Sequence, residues 1–130
     1  MGTQKTRPHF PGTSGVPNIA EAEILFSDAN QAIVDLPAGA VVLRTWVEVL
    51  TAFNAGTTNV LEVGVTGTQA KYMAAADINE AAVGVSAAKG PFAAEAAAVT
   101  VKAFFGQTGG AATTGKARCF VEYVRTASNG

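Results

Sequence analysis

Apolar and polar residues alternate with a period of two along most of this chain. The clearest case is Lys116 to Arg125 (KARCFVEYVR), where Ala117, Cys119, Val121 and Tyr123 fall on one side and Lys116, Arg118, Phe120, Glu122 and Val124 on the other. In Val41 to Phe53 (VVLRTWVEVLTAF) the odd positions Val41, Leu43, Thr45, Val47, Val49, Thr51 and Phe53 share one face, and Arg44, Trp46 and Glu48 the other. Its β-branched content selects a strand over a helix. Val60 to Val65 (VLEVGV) resumes the alternation after the loop NAGTTN, with Leu61, Val63 and Val65 inward, and is expected to form a long hairpin with the preceding strand.

Further strands are predicted at Ala20 to Ser27, Ala32 to Leu36, Val83 to Ala87 and Val99 to Phe105. Ala93 to Ala98 (AAEAAA) has high helix propensity, but it runs straight into the alternation of VTVKAFF, so strand is expected from Ala98 on. Gly67 to Glu80 loses the period of two and reads as a loop with one helical turn around Ala70 to Ala75. Seven or eight strands with little helix predict an all-β fold. The expected form is an antiparallel β-sandwich, jelly-roll-like, with an extended N-terminal arm. Alternation does not separate a jelly roll from an immunoglobulin-like strand order, because both bury every second residue. The expected organisation is an arm over residues 1–18, a sandwich over 19–126 and a short tail over 127–130. Pro8, Pro11 and Pro17 are expected to keep the arm extended.

Composition narrows the functional classes. Hydrophobic residues are 48% and charged residues 15% of the chain, which excludes a disordered chain and a salt-bridge-laced bundle. A net charge of -1 without a Lys/Arg cluster gives no field to hold nucleic acid, so none is expected as a partner. The most apolar long window, Ala81 to Val101, is interrupted by Lys89, Pro91 and Glu95 and does not predict a membrane span. The N-terminus lacks an apolar signal core, so synthesis in the cytoplasm is expected. Cys119, the single cysteine, is expected to be a small buried hydrophobe.

One string resembles a nucleotide-binding loop: from Gly110 the chain reads GAATTGKA, a G-x-x-x-x-G-K with Ala117 where a Ser or Thr should hold the metal. A P-loop needs a helix after its lysine, and here a strand pattern follows. The string is therefore expected to be the loop of a hairpin joining Val99–Phe105 to Lys116–Arg125. His9, in the arm, has no fixed geometry for general-base work, and Asp77 and Glu80 read as solvated loop acids. No catalytic, cofactor-binding or metal-ligating set is predicted, and a non-enzyme is expected.

Several strings resemble a known group together: LPAGAVV (Leu36 to Val42), AFNAGTTNVLEVG (Ala52 to Gly64), AAADIN (Ala74 to Asn79) and GKARCFVEYV (Gly115 to Val124). They are similar to small virion structural proteins of tailed bacteriophages, of the kind that decorate or cement the head. The resemblance runs from Leu36 to Val124 and leaves out the arm. It implies a β-sandwich or jelly roll, often trimeric, on the outer surface of the phage head. There it would stabilise the capsid through noncovalent contacts with the major capsid protein. Arg7, His9, Phe10 and Pro11 are then candidate arm contacts to a neighbouring subunit or the capsid, and Arg44 and Trp46 a candidate surface contact. Trp46 equally suits packing on the second side of the sheet. The alternative reading is a tail, fibre-base or host-surface glycan-binding module, with NAGTTN and GQTGGAATTG as ligand loops.

Overall fold

In the computed structural model, residues 16–125 are described. The arm residues Arg7, His9, Phe10 and Pro11 and the tail 127–130 lie outside the described residues. Among the described residues eight strands follow one another: β1 (Asn18–Leu25), β2 (Asn30–Leu36), β3 (Val41–Thr51), β4 (Thr58–Val65), β5 (Thr68–Met73), β6 (Gly84–Val85), β7 (Val99–Thr108) and β8 (Lys116–Val124). A 3-10 turn, Ala75–Asp77, lies between β5 and β6. The strands form two antiparallel sheets, ordered β1-β8-β3-β6 and β2-β7-β4-β5.

This order pairs the first strand with the last, the second with the seventh, the third with the sixth and the fourth with the fifth. Only β4 and β5 are consecutive strands that neighbour each other; every other connection crosses to the opposite sheet. Both expected hairpins are corrected by this. β3 and β4 lie in different sheets, and so do β7 and β8, making NAGTTN and GQTGGAATTG bridges across the sandwich. Alternation records which residues face the core, and strands on opposite sheets face the same core, so the pattern cannot report which sheet a strand joins.

The core fills the space between the sheets. Ile24, Val42, Val47, Val49, Ala117, Cys119 and Val121 meet Leu36, Leu61, Val63, Tyr72, Met73, Val101, Ala103 and Phe105. At β8 the expected inward set holds. At β3 it is modified by a bulge between Val42 and Arg44, which buries Val42 while keeping Thr45, Val47 and Val49 inward. Val41 and Leu43, expected inside, are only half-buried.

The largest departure is β5, where a loop with a helical turn was expected around Ala70 to Ala75. Thr68 through Lys71 are all exposed and only Tyr72 and Met73 are buried, so no apolar alternation marks the strand. The 3-10 turn begins where β5 has ended, held by Asp77 Oδ2, which accepts from the Ala74 N–H at 2.9 Å. Glu80 is likewise not a solvated acid: its Oε2 accepts the Leu61 N–H at 2.9 Å, capping the edge of β4 beyond the reach of β5.

Candidate interaction surface

The outer face of the β1-β8-β3-β6 sheet is built in rows by the strand register. Glu122 lies between Ile19 and Arg44, Phe120 between Glu21 and Trp46, and Arg118 between Glu23 and Glu48. Directly opposed residues share a face, so these rows form one continuous surface. Trp46 stacks on Phe120 with ring centres 5.1 Å apart and planes 9° from parallel. The Arg44 guanidinium sits 5.6 Å from the Trp46 ring centre while its Nε donates to Glu122 Oε1 at 2.6 Å. On the other side of the aromatic pair, Arg118 lies 3.8 Å from Glu21, 3.8 Å from Glu23 and 3.9 Å from Glu48.

Arg44 and Trp46 are thus brought together on one face. Trp46 packs against Phe120 on the outer face, where it remains half-exposed. The chemistry available is an apolar plate bordered by charge, with three carboxylates around one guanidinium leaving an excess of acid toward β1. Exposed ion pairs of this kind add little stability. Their effect is on what the face attracts.

The far edge of the same sheet is built differently. β6 spans two residues, yet the chain continues alongside β3: Ser86 N–H donates to the Val47 carbonyl at 2.8 Å, Thr45 and Lys89 exchange bonds of 2.9 Å, Phe92 N–H donates to Val42 at 3.0 Å and Glu95 N–H to Ala40 at 2.8 Å. The spacing of partners slips along the way, so the edge is bulged rather than regular. Val83 and Val85 remain 70% and 65% exposed on it. The segment ends in a buried carboxylate, Glu95, only 5% exposed. Lys71 Nζ donates to Glu95 Oε1 at 2.6 Å and the Tyr72 hydroxyl donates to Oε2. Burial opposes the Glu95 charge, but the hydrogen bonds from Lys71 and Tyr72 and the nearby ammonium outweigh it and hold the carboxyl below its ordinary range. Burial and the Glu95 carboxylate push the Tyr72 phenol well above its usual value. Thr45 completes the link by donating its hydroxyl to the Tyr72 carbonyl at 3.3 Å, tying β3 to β5 across the sandwich.

Sequence reasoning missed Glu95. Its one signal was a lone charge within AAEAAA, a string whose composition suggests helix.

The outer face of the second sheet carries a shallow concavity of about 650 Å³, lined by Asn30, Glu62, Gln69, Lys102 and Phe104 among others. Register places Phe104 between Asn30 and Glu62 on that face, but only 8% of it is exposed. The bridge resembling a P-loop is held by Asn54, whose Oδ1 accepts the Thr113 and Thr114 N–H groups at 2.7 and 3.0 Å. Gly115 has φ +147°, and a Cβ there would enter the Phe53 ring. Lys116 then opens β8, so a strand follows where a P-loop needs a helix. Cys119 is buried on the inner face, which pushes its thiol up to about 12.

No family model and no curated protein matches the chain. Among solved structures, a chain of the cyanophage Pam1 capsid asymmetric unit is similar at 21% identity with a TM-score of 0.65, over 94% of this chain and 93% of that one. A chain of the acidic stable capsid structure of the Helicobacter pylori bacteriophage KHP30 is similar at 21% identity with a TM-score of 0.66, over 86% and 90%. The chain shares its fold with proteins found in bacteriophage capsid structures.

Proposed function

We propose that this protein is a non-catalytic structural component of a bacteriophage capsid. It decorates the outer surface of the head and stabilises it through noncovalent contacts with the major capsid protein. The observation that carries this reading is the reciprocal coverage of the Pam1 capsid chain: 94% of this chain matches 93% of that one. The likeness therefore extends over nearly all of this sequence and nearly all of that chain. The strand order supports a jelly roll, since an antiparallel ribbon folded at β4–β5 and rolled up gives these two sheets. The Trp46–Phe120 plate is the surface best suited to meet the capsid, because stacked aromatics supply contact area at small conformational cost. Many copies on one particle hold through multivalency even where each contact is weak. A trimer, as the resemblance implies, would set three such plates around one axis.

The test is to purify particles, separate heads from tails and measure this chain against the major capsid protein in each fraction. A fixed ratio on the heads, lost on stripping and restored on adding the protein back, is expected. Recovery only with tails would replace the proposal with the fibre-base reading. The concavity around Asn30, Glu62, Gln69 and Lys102 favours a glycan-binding role as the second reading, since its polar groups suit sugar hydroxyls. Phe104 offers little ring face for stacking, which keeps this reading second. Glycan-array binding by the isolated protein would promote it.

A further inference from the structure

Among the described residues, the large apolar side chains left exposed are Val16, Ile19, Leu25, Val83 and Val85. All of them lie in or close beside β1 and β6, the two margins of one sheet. Register puts three on its outer face: Ile19 opposite Glu122, Leu25 opposite Lys116 and Val85 opposite Glu48. They stand around the Trp46–Phe120 plate, so the exposed apolar surface is collected on this face. On the outer face of the other sheet the corresponding aromatic, Phe104, is buried.

The plate is flanked by two pairings of a ring with a carboxylate, and they are filled differently. Beside Trp46, the Arg44 guanidinium lies 5.6 Å from the ring centre while its Nε donates to Glu122 at 2.6 Å. A guanidinium placed over a ring and against a carboxylate satisfies both. Beside Phe120 the register sets Glu21, more than half exposed. Among the described residues its cation is Arg118, which is 3.8 Å away and is shared with Glu23 at 3.8 Å and Glu48 at 3.9 Å. Those separations exceed hydrogen-bond length, so Arg118 fills no acceptor position on any of the three acids. Lys116 lies one row further, opposite Leu25 and Thr51. The Phe120–Glu21 pairing thus repeats the surroundings of the Trp46–Glu122 pairing without a guanidinium bonded into it.

We propose that this face docks a partner surface that brings an arginine between Glu21 and Glu23, against Phe120, while an apolar part of the same surface covers Trp46 and Ile19. The inference rests on the capsid reading, so the arginine is one of the major capsid protein. Two guanidinium groups, the partner's and Arg118, are still outnumbered by Glu21, Glu23 and Glu48, so their mutual repulsion is compensated. Arginine suits the place better than lysine, because its planar fork bonds a carboxylate while its face lies on a ring. A second copy of this face is a poor occupant: its Arg44 is already engaged by Glu122 and Trp46, and its Arg118 lies among three acids. From Ile19 to Leu25 the face runs roughly 20 Å, and from β1 to β6 roughly 15 Å. The resulting area of about 300 Å² is well below the roughly 800 Å² that each side of a stable pair buries. A single contact is therefore weak, its selectivity comes from charge, and many copies supply the retention.

The experiment titrates heads stripped of this chain with the parent, with Glu21→Lys and with Glu62→Lys, which makes the same charge change on the outer face of the other sheet. Glu21→Lys is expected to weaken binding roughly tenfold, and Glu62→Lys to stay within about twofold of the parent. Neutral Glu21→Gln should fall between them with a shallower salt dependence, and it gives the reading if Glu21→Lys loses its urea midpoint. Heads pretreated with phenylglyoxal, which blocks guanidinium groups, should no longer take up the parent, whereas heads acetylated on lysine should. Parent-like binding by Glu21→Lys and Glu21→Gln, or an equal loss in Glu62→Lys, would overturn the inference and leave the capsid reading standing. Loss on acetylation but not on phenylglyoxal treatment would overturn the assignment to arginine. A parent that does not bind stripped heads at all would overturn the capsid reading, and this contact with it.

Discussion

The two edges of the β1-β8-β3-β6 sheet solve one physical problem in opposite ways. Along β6 the chain gives up regular pairing for a slipping, bulged segment and fastens it with one buried carboxylate, Glu95. Along β1 the pairing is regular for eight residues and the outward side carries two exposed acids. The bulged edge is hard for another strand to join, and its regularity has been exchanged for internal hydrogen bonds. The regular edge leaves one side of β1 without a strand among the described residues, and acids flank it on the outer face. The buried hydrogen bonds thus lie on the β6 side, and the exposed regular edge with its acids on the β1 side.

Substitutions on the β6 side should therefore have the largest effects on folding. Gly90 has φ +135°, and a Cβ there would run into the Leu43 carbonyl. Gly90→Ala is expected to cost about 2–4 kcal/mol in urea unfolding, from backbone strain added to a steric clash. Glu95→Ala follows at about 2–3 kcal/mol, the loss of a charge-assisted hydrogen bond with a buried Tyr72 hydroxyl left unpaired. Glu95→Gln should recover part of this by still accepting from Tyr72. An effect of Glu95→Ala no larger than that of a surface substitution would break the contrast between the edges.

The same carboxylate predicts a pH dependence with a definite sign. The Glu95 carboxyl is held below its ordinary 4.5 in the fold, so its contribution is present above that value. It is lost as pH falls through the lower folded value, where the native carboxylate takes up its proton. Stability measured below about pH 4.5 should fall more steeply in the parent than in Glu95→Gln, whose side chain does not titrate there.

How much of this was legible beforehand differs between the edges too. The inward residues of β8 followed from alternation, as did Leu61 and Val63 in β4. Those strands have one face on the core and one on solvent, the condition under which a period of two is written into sequence. β5 was missed because four of its six residues are exposed, on both faces of this edge strand, and leave no apolar repeat. The edge beside β3 was missed for a related reason. Its bulges destroy the period, and Glu95 is buried by what folds around it rather than by its neighbours in AAEAAA. The hairpins were misassigned because strand pairing across the sandwich depends on long-range partners. That Trp46 and Arg44 share a face was readable from alternation, whereas Phe120, the partner of Trp46, became visible only through the β3–β8 register.

The outer face between the two edges sharpens the comparison with smaller effects. Trp46→Ala should cost about 1 kcal/mol of stability, because the ring is half-exposed and loses one stacked partner. If the plate meets the capsid, the same variant should lose far more in binding to stripped heads than it loses in folding. Equal losses would make Trp46 a packing residue and move the contact elsewhere.

The smallest folding effect is expected at β1 itself. Glu21→Gln removes a carboxylate 3.8 Å from Arg118, but Glu23 and Glu48 still flank that guanidinium, so its charge remains compensated. Exposed pairs contribute little, and the change in unfolding free energy should stay within about 0.5 kcal/mol. If the outer face of this sheet meets the capsid, its consequence should appear instead in how binding to stripped heads responds to salt. A contact made by opposed charges weakens as ionic strength rises, and removing Glu21 should flatten that dependence while leaving the urea midpoint nearly unmoved. A variant that shifted the midpoint but not the salt response would show that the acids of β1 serve the fold, and the division of labour between the two edges would fail.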